Sequence, residues 1–253
     1  MQTYMTMYAA IVLGSAISLI GGSILFLPKQ RRNYAILLAM PFGAGALLAA
    51  AFFDLLPEAF EFGEPTDLLK WTIVGFIAFF LLERLASWFH HHHEHSHQLR
   101  KDAQGGMVLI GDLLHNVIDG AAIGAAFVAN PVTGIITTIA VSAHEIPKEL
   151  GTFGILLSRG WRDKKVILAN IATAFGTLIA ATVVYWLGSS NALPVGPLLA
   201  LTGGMFIYIA ASDIIPDIHE QPRKTGTIQA AVLVAAVILV GIVIEALSAL
   251  HHA

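Results

Sequence analysis

Two short runs hold most of the chemistry in this chain. "HNVIDG" starts at His115 and "HEIPKELG" starts at His144, each inside an otherwise apolar stretch. In the first, His115 and Asp119 are four residues apart, which stacks them on one helix face, with Asn116 beside them. In the second, His144 and Lys148 share a face, with Glu145 and Glu149 alongside. The chain has no cysteine, so thiolate ligands are excluded. Imidazole with carboxylate suits Zn²⁺ or Fe²⁺ better than the all-oxygen cages that Ca²⁺ and Mg²⁺ prefer. The competing reading is a buried ion-pair cluster in which Lys148 meets Asp119 and Glu145 and the histidines bond across helices. Two histidines, an asparagine and three acids exceed what one lysine needs.

The elements that must position these residues are membrane spans. The 253 residues are 56% hydrophobic and only 12% charged, and mean hydropathy is +0.73. A soluble domain averages about 25% charged residues. Apolar runs of about 20 residues, the length needed to cross a bilayer, fall at 8–27, 36–60, 69–89, 107–129, 132–158, 165–187, 195–218 and 228–249. The N-terminal run has no basic leader and no small-residue cleavage site, so it reads as a retained first span. Eleven of the fourteen Lys and Arg residues lie in alternate connections: 29–32, 100–101, 159–165 and 223–224. The positive-inside rule puts these in the cytoplasm and both termini outside. The expectation is an all-α polytopic membrane protein, with residues 1–253 forming a single transmembrane transport domain. Short connections and the lack of a targeting segment point to a multi-pass protein of a cell's inner (cytoplasmic) membrane.

Counting about 1.5 Å per residue from Gly106 and from Val132, His115 lies roughly 13 Å and His144 roughly 18 Å into their spans. Both fall near the middle of a core about 30 Å thick, where ionisable side chains are costly and are functional by default. An internal echo also appears. "DLLPEAFE" (54–61) ends span 2 and "DIIPDIHE" (213–220) ends span 7, at opposite membrane faces. Such a pattern predicts inverted repeats in a 3+2+3 arrangement around spans 4 and 5, as in secondary transporters. Asp54 and Glu58 then belong to an outer ion pathway, and Asp213 and Asp217 to an inner one, where acidic mouths concentrate cations.

Together and in this order, "HNVIDG" and "HEIPKELG" resemble the paired signature of the ZIP (Zrt-, Irt-like) metal transporters. The likeness extends to eight spans, outer termini, a His-rich third connection and "DLLPEAF" in span 2. It implies a secondary transporter importing a divalent ion, zinc first, with cadmium, iron and manganese as further candidates. It implies no organic cofactor, and a homodimer among the partners beside the metal ion and the bilayer. By the resemblance, His115, Asp119, His144 and Glu145 are metal ligands, with Asn116 a further candidate; Glu149, the carboxylate alongside in the same run, is a candidate with them. Two departures stand out. Lys148 replaces a His or Glu able to bridge two metals, and span 6 offers Asn170 and Thr173 where many members have Glu. Lys148 is thus expected to substitute for a second metal.

Other classes fare worse. No basic nucleic-acid footprint is present, and no GxxxxGK[ST] loop exists for ATP-driven transport. The alternative, an intramembrane zinc-dependent hydrolase, starts from His144-Glu145 as the head of H-E-x-x-H, but Lys148 stands where the second His belongs. The remaining histidine cluster, "HHHHEHSH", lies in the connection 90–105 between spans 3 and 4. His90, His91, His92, His93, His95 and His97 bind metal without fixed geometry and read as a flexible cytoplasmic receiver. Replacing all six with serine should leave most cellular uptake of radioactive zinc, whereas His144→Ala should abolish it. The reverse pattern would overturn the site assignment.

Overall fold

In a computed structural model, residues 2–22, 28–91, 99–158, 160–190 and 192–251 are described, and their regular structure is entirely helical. The helices are α1 (Gln2–Gly22), α2 (Lys29–Ala50), α3 (Leu56–Phe60), α4 (Pro65–His91) and α5 (Leu99–Ala129). They continue as α6 (Pro131–Ser158), α7 (Asp163–Ser189), α8 (Val195–Ile209), α9 (Ile215–Glu220) and α10 (Arg223–His251). A π-helical turn, Ala51–Leu55, joins α2 to α3, and another, Ala210–Ile214, joins α8 to α9. With those interrupted helices counted as single rods, the described residues form eight rods.

The packing is inside-out. Arg223–Leu247 has the highest mean hydropathy of the long helical segments, 2.8, yet only 22% of it is buried. Ile238, Leu239 and Ile242 on α10 and Leu168, Phe175 and Ile179 on α7 all face outward. In water such faces would be driven inward. Here they form the surface of a polytopic membrane protein. Among the described residues, five segments are long and apolar enough to cross: Leu37–Phe60, Leu109–Ala129, Asp163–Ser189, Val195–Glu220 and Arg223–Leu247.

Helices α5 and α7, α1 and α6, and α5 and α6 pack as one set; α2 and α10, and α4 and α8, pack as another. Helix α2 joins the sets by lying along α6. Small residues permit the close approaches. A Cβ on Gly120 would sit 2.7 Å from Thr177 Cα on α7, and one on Gly43 would sit 2.9 Å from His144 Cα on α6.

Local chemistry explains the ends and breaks. Helix α6 begins at an Asn-Pro pair, where the Thr133 amide donates to Asn130 Oδ1 at 2.8 Å and Pro131 needs no donor. After α6, Gly160 takes φ +86°, a left-handed conformation glycine adopts without strain. The sequence predicts spans 2 and 7 as continuous helices; each is broken by a π-helical turn. Pro57 and Pro216 lack an amide hydrogen and crowd the carbonyl four residues back. The preceding turn widens, with Leu56 N–H bonded to Ala51 O and Ile215 N–H to Ala210 O.

The third connection also differs. Residues 99–105, expected in a loop, are helical and open α5. Leu99, Arg100, Lys101, Ala103 and Gln104 are strong helix formers, and they outweigh Gly105 and Gly106. His90 and His91 end α4, while His92, His93, His95 and His97 lie outside the described residues.

Two substitutions on one helix test this packing. Gly120→Ala should lower the melting temperature of the detergent-solubilised protein, because overpacking costs about 1–3 kcal/mol. Gly111→Ala should leave it unchanged or raise it, since a Cβ there meets open space.

Candidate metal centre

Helices α5 and α6 run antiparallel, joined by the short Ala129–Pro131 turn. Their packed faces bring His115 and Asp119 on α5 against His144 and Glu145 on α6. One ligand atom from each of the four lies within 4.8 Å of the others. His115 Nε2 is 3.2 Å from His144 Nε2, and Asp119 Oδ2 is 3.7 Å from the first and 3.5 Å from the second. Glu145 Oε1 is 4.0 Å from His144 Nε2. Tetrahedral ligands about 2.0–2.1 Å from one zinc ion stand about 3.3 Å apart. The cluster is therefore close to the size of one coordination shell.

Burial sharpens the point. Asp119 is 1% exposed and His144 3%. Asp119 Oδ1 has no hydrogen-bond partner among the described residues, and Oδ2 faces only the two imidazole nitrogens. An under-satisfied buried carboxylate is costly, and a cation among the imidazoles would offset that cost. His144 Nδ1 faces the Ala140 carbonyl at 3.4 Å while Nε2 faces Asp119. Aromatic rings close the flank: Phe79 meets His115 edge-on with centroids 5.6 Å apart, and Phe206 lies beside His144 at 6.4 Å.

Lys148 sits at the edge of this cluster. Its ammonium contacts Glu145 Oε1 and lies 3.1 Å from Asp112 Oδ1. Thr173 on α7 donates to the other oxygen, Asp112 Oδ2, at 2.6 Å. Sequence reasoning did not single out Asp112, yet the signal was there: Asp112, Asn116 and Asp119 follow the four- and seven-residue spacing of one helix face.

Asn116 turns toward α7. Its amide donates to Asp112 O at 2.9 Å, and its Oδ1 accepts from Thr177 Oγ1 at 3.0 Å. Glu149 is buried and, with Asn116, Glu145 and Thr177, lines a neighbouring cavity of about 20 Å³, room for about one water. At the expected outer end, Asp54 is buried within the first π-helical turn and accepts from Thr133 Oγ1 at 3.2 Å. Thr137, one turn further along α6, is fully buried, and its hydroxyl has no partner among the described residues. Thr133 and Thr137 were also missed; their four-residue spacing toward His144 was the available sign. Glu58 is half-buried on α3. At the other end, Asp213 falls in the second π-helical turn and Asp217 is exposed on α9.

A family model described as ZIP Zinc transporter matches residues 4–107 and 90–249. The zinc transporter YKE4 of Saccharomyces cerevisiae is 30% identical over 227 residues, covering 77% of this chain and 66% of the relative. The zinc transporter ZIP13 of Pongo abelii is 29% identical, covering 79% and 64%. The metal cation symporter ZIP14 of Xenopus tropicalis is 28% identical, covering 83% and 60%. The chain spans about two thirds or less of the length of these relatives.

Asp119→Asn should produce opposite effects in two measurements. Removing a buried, under-satisfied charge should leave the metal-free melting temperature unchanged or higher. The rise that zinc produces in the parent protein should vanish.

Proposed function

Because the chain belongs to the ZIP zinc-transporter family, we propose that it imports a divalent transition-metal ion, zinc first, through His115, Asp119, His144 and Glu145. The observation that carries this reading is the buried Asp119 carboxylate, whose Oδ1 has no partner among the described residues and whose Oδ2 faces two imidazole nitrogens at coordination-shell spacing.

Among the groups that touch the lysine or the imidazoles, Asp112, Asp119 and Glu145 set three carboxylates against one ammonium, apart from the buried Glu149 beside the neighbouring cavity. With the imidazoles neutral, the formal charge is minus two, which one divalent ion cancels. Lys148 therefore stands in for a second cation and leaves one transported ion. Asn116 and Glu149 belong to the wall behind the site, beside the small cavity they share.

The ion reaches the site past Asp54, Thr133 and Thr137, which lead along α6 toward His144. Glu58 belongs to the outer mouth, and Asp213 and Asp217 to the inner one. Import follows from the clustering of Lys and Arg in alternate connections, which sets the cytoplasmic side. The His-rich connection lies on that side and receives the delivered ion.

The eight rods are eight spans in a 3+2+3 inverted repeat, with the termini outside and the chain in the inner membrane. Two observations support this. Exchanging α1 with α7, α2 with α8, α4 with α10 and α5 with α6 carries α1–α6 packing onto α5–α7, and α2–α10 onto α4–α8. The same exchange superposes the two Asp-containing π-helical turns, each followed by a proline. A hydrolase is disfavoured because the ammonium of Lys148 occupies Glu145, the only candidate general base of the broken motif.

The test uses the purified chain in liposomes carrying an internal zinc-sensitive dye. Zinc influx that is lost in His144→Ala supports transport; zinc binding without flux overturns it. Calorimetry should find one tight zinc per chain, and Lys148→His should add a second. Two tight sites in the parent protein would refute the lysine's role.

A further inference from the structure

The sharing of one ammonium between two acids points to a part for Asp112. Glu145 is a ligand in the proposed function, on which this inference rests, and Lys148 already occupies its Oε1. An ion that takes Glu145 Oε1 competes with the ammonium for that oxygen. An ammonium released into an apolar bundle with no other partner would meet the full cost of a buried charge.

Asp112 removes that obstacle. Its Oδ1 lies 3.1 Å from Lys148 Nζ, and its carboxylate is 3% exposed. Thr173 Oγ1 holds the other oxygen at 2.6 Å, which fixes the plane of the carboxylate and leaves Oδ1 directed at the lysine. Asp112 lies three residues before His115 and seven before Asp119 on α5, so it is about 4.5 and 10 Å along the helix from these two ligands. It stands on the far side of the ammonium from Glu145 and is not one of the four residues whose ligand atoms cluster.

We propose that Asp112 is a positioning residue that competes with Glu145 for Lys148, drawing the ammonium aside when a divalent ion takes Glu145 and returning it when the ion leaves. Nothing titrates in this exchange; one charged contact replaces another. The prediction separates this role from a purely structural one and from simple negative charge near the site, because only the exchange requires the lysine.

Zinc affinity is measured by calorimetry on the full chain in detergent, with melting temperatures taken in parallel. Asp112→Asn should weaken zinc binding about tenfold or more, the scale of one lost charge-assisted hydrogen bond. In a Lys148→Met background, the same change should alter affinity less than about twofold, within the usual additivity error of measurements. Asp112→Glu should retain most of the parent affinity. Thr173→Val, which keeps the charge and fills the same volume, should give a smaller loss with the same dependence on Lys148, and it serves if Asp112→Asn does not fold. An equal loss with and without Lys148, or no loss in either, overturns the proposal. If His144→Ala binds zinc as the parent does, the site reading itself fails, and that outcome is distinct.

Discussion

The constraint on which the rest of this molecule depends is the burial of unbalanced negative charge deep inside an apolar bundle. Asp119, Asp112 and Glu145 are each less than a tenth exposed, and a single lysine faces them. Isolated charges at such depth cost several kcal/mol or more. Hydrophobic packing would discard them at once, since an ion pair replaced by well-fitted apolar residues is often no less stable. On the proposed reading, their presence at the junction of α5 and α6 serves the cargo. The helices arrange what the charges require: α5 and α6 bring imidazoles and carboxylates together from facing surfaces, while α7 contributes hydroxyls that orient Asp112 and Asn116.

Close approach and local breakage do the positioning. Glycines let α2 lie against the backbone of His144 and α7 against α5, so the site is enclosed by main chain as much as by side chains. The two prolines act in the opposite sense. Each forces a wider turn in the helix before it, and at Asp54 that turn holds a carboxylate inside the bundle, where Thr133 can reach it. One sequence feature thus produces both a weak point in a helix and a polar step near the end of the ion's proposed route.

Much of this was legible beforehand, and the reasons differ by residue. Helical class and membrane character follow from runs of apolar residues, which carry the same meaning wherever they fold. His115, Asp119, His144 and Glu145 were readable because four-residue spacing and intramembrane depth each single out ionisable groups. Asp112 was not, because its meaning depends on Lys148 and Thr173, which lie 36 and 61 positions away. Asn116 was a ligand candidate by the resemblance alone; its side chain bonds Thr177 and the Asp112 carbonyl, contacts that no spacing rule announces. The π-helical turns escaped because hydropathy does not register a change in hydrogen-bond spacing. The flanks of the His-rich connection read as loop because charge and glycine were weighed above helix propensity.

The lysine within the metal motif is therefore less contradictory than it first looks. A site that carries an ion across a membrane must let it go, and a shell with every ligand dedicated to the ion would hold it. An ammonium on a flexible stem cannot leave with the cargo, yet it satisfies a carboxylate nearly as well as part of a metal's charge does. On the proposed reading it gives Glu145 a partner when the ion departs, so the emptied site is not left with bare charge. That raises the energy of the loaded state relative to the empty one, and the trade of some affinity for easier release is what transport demands.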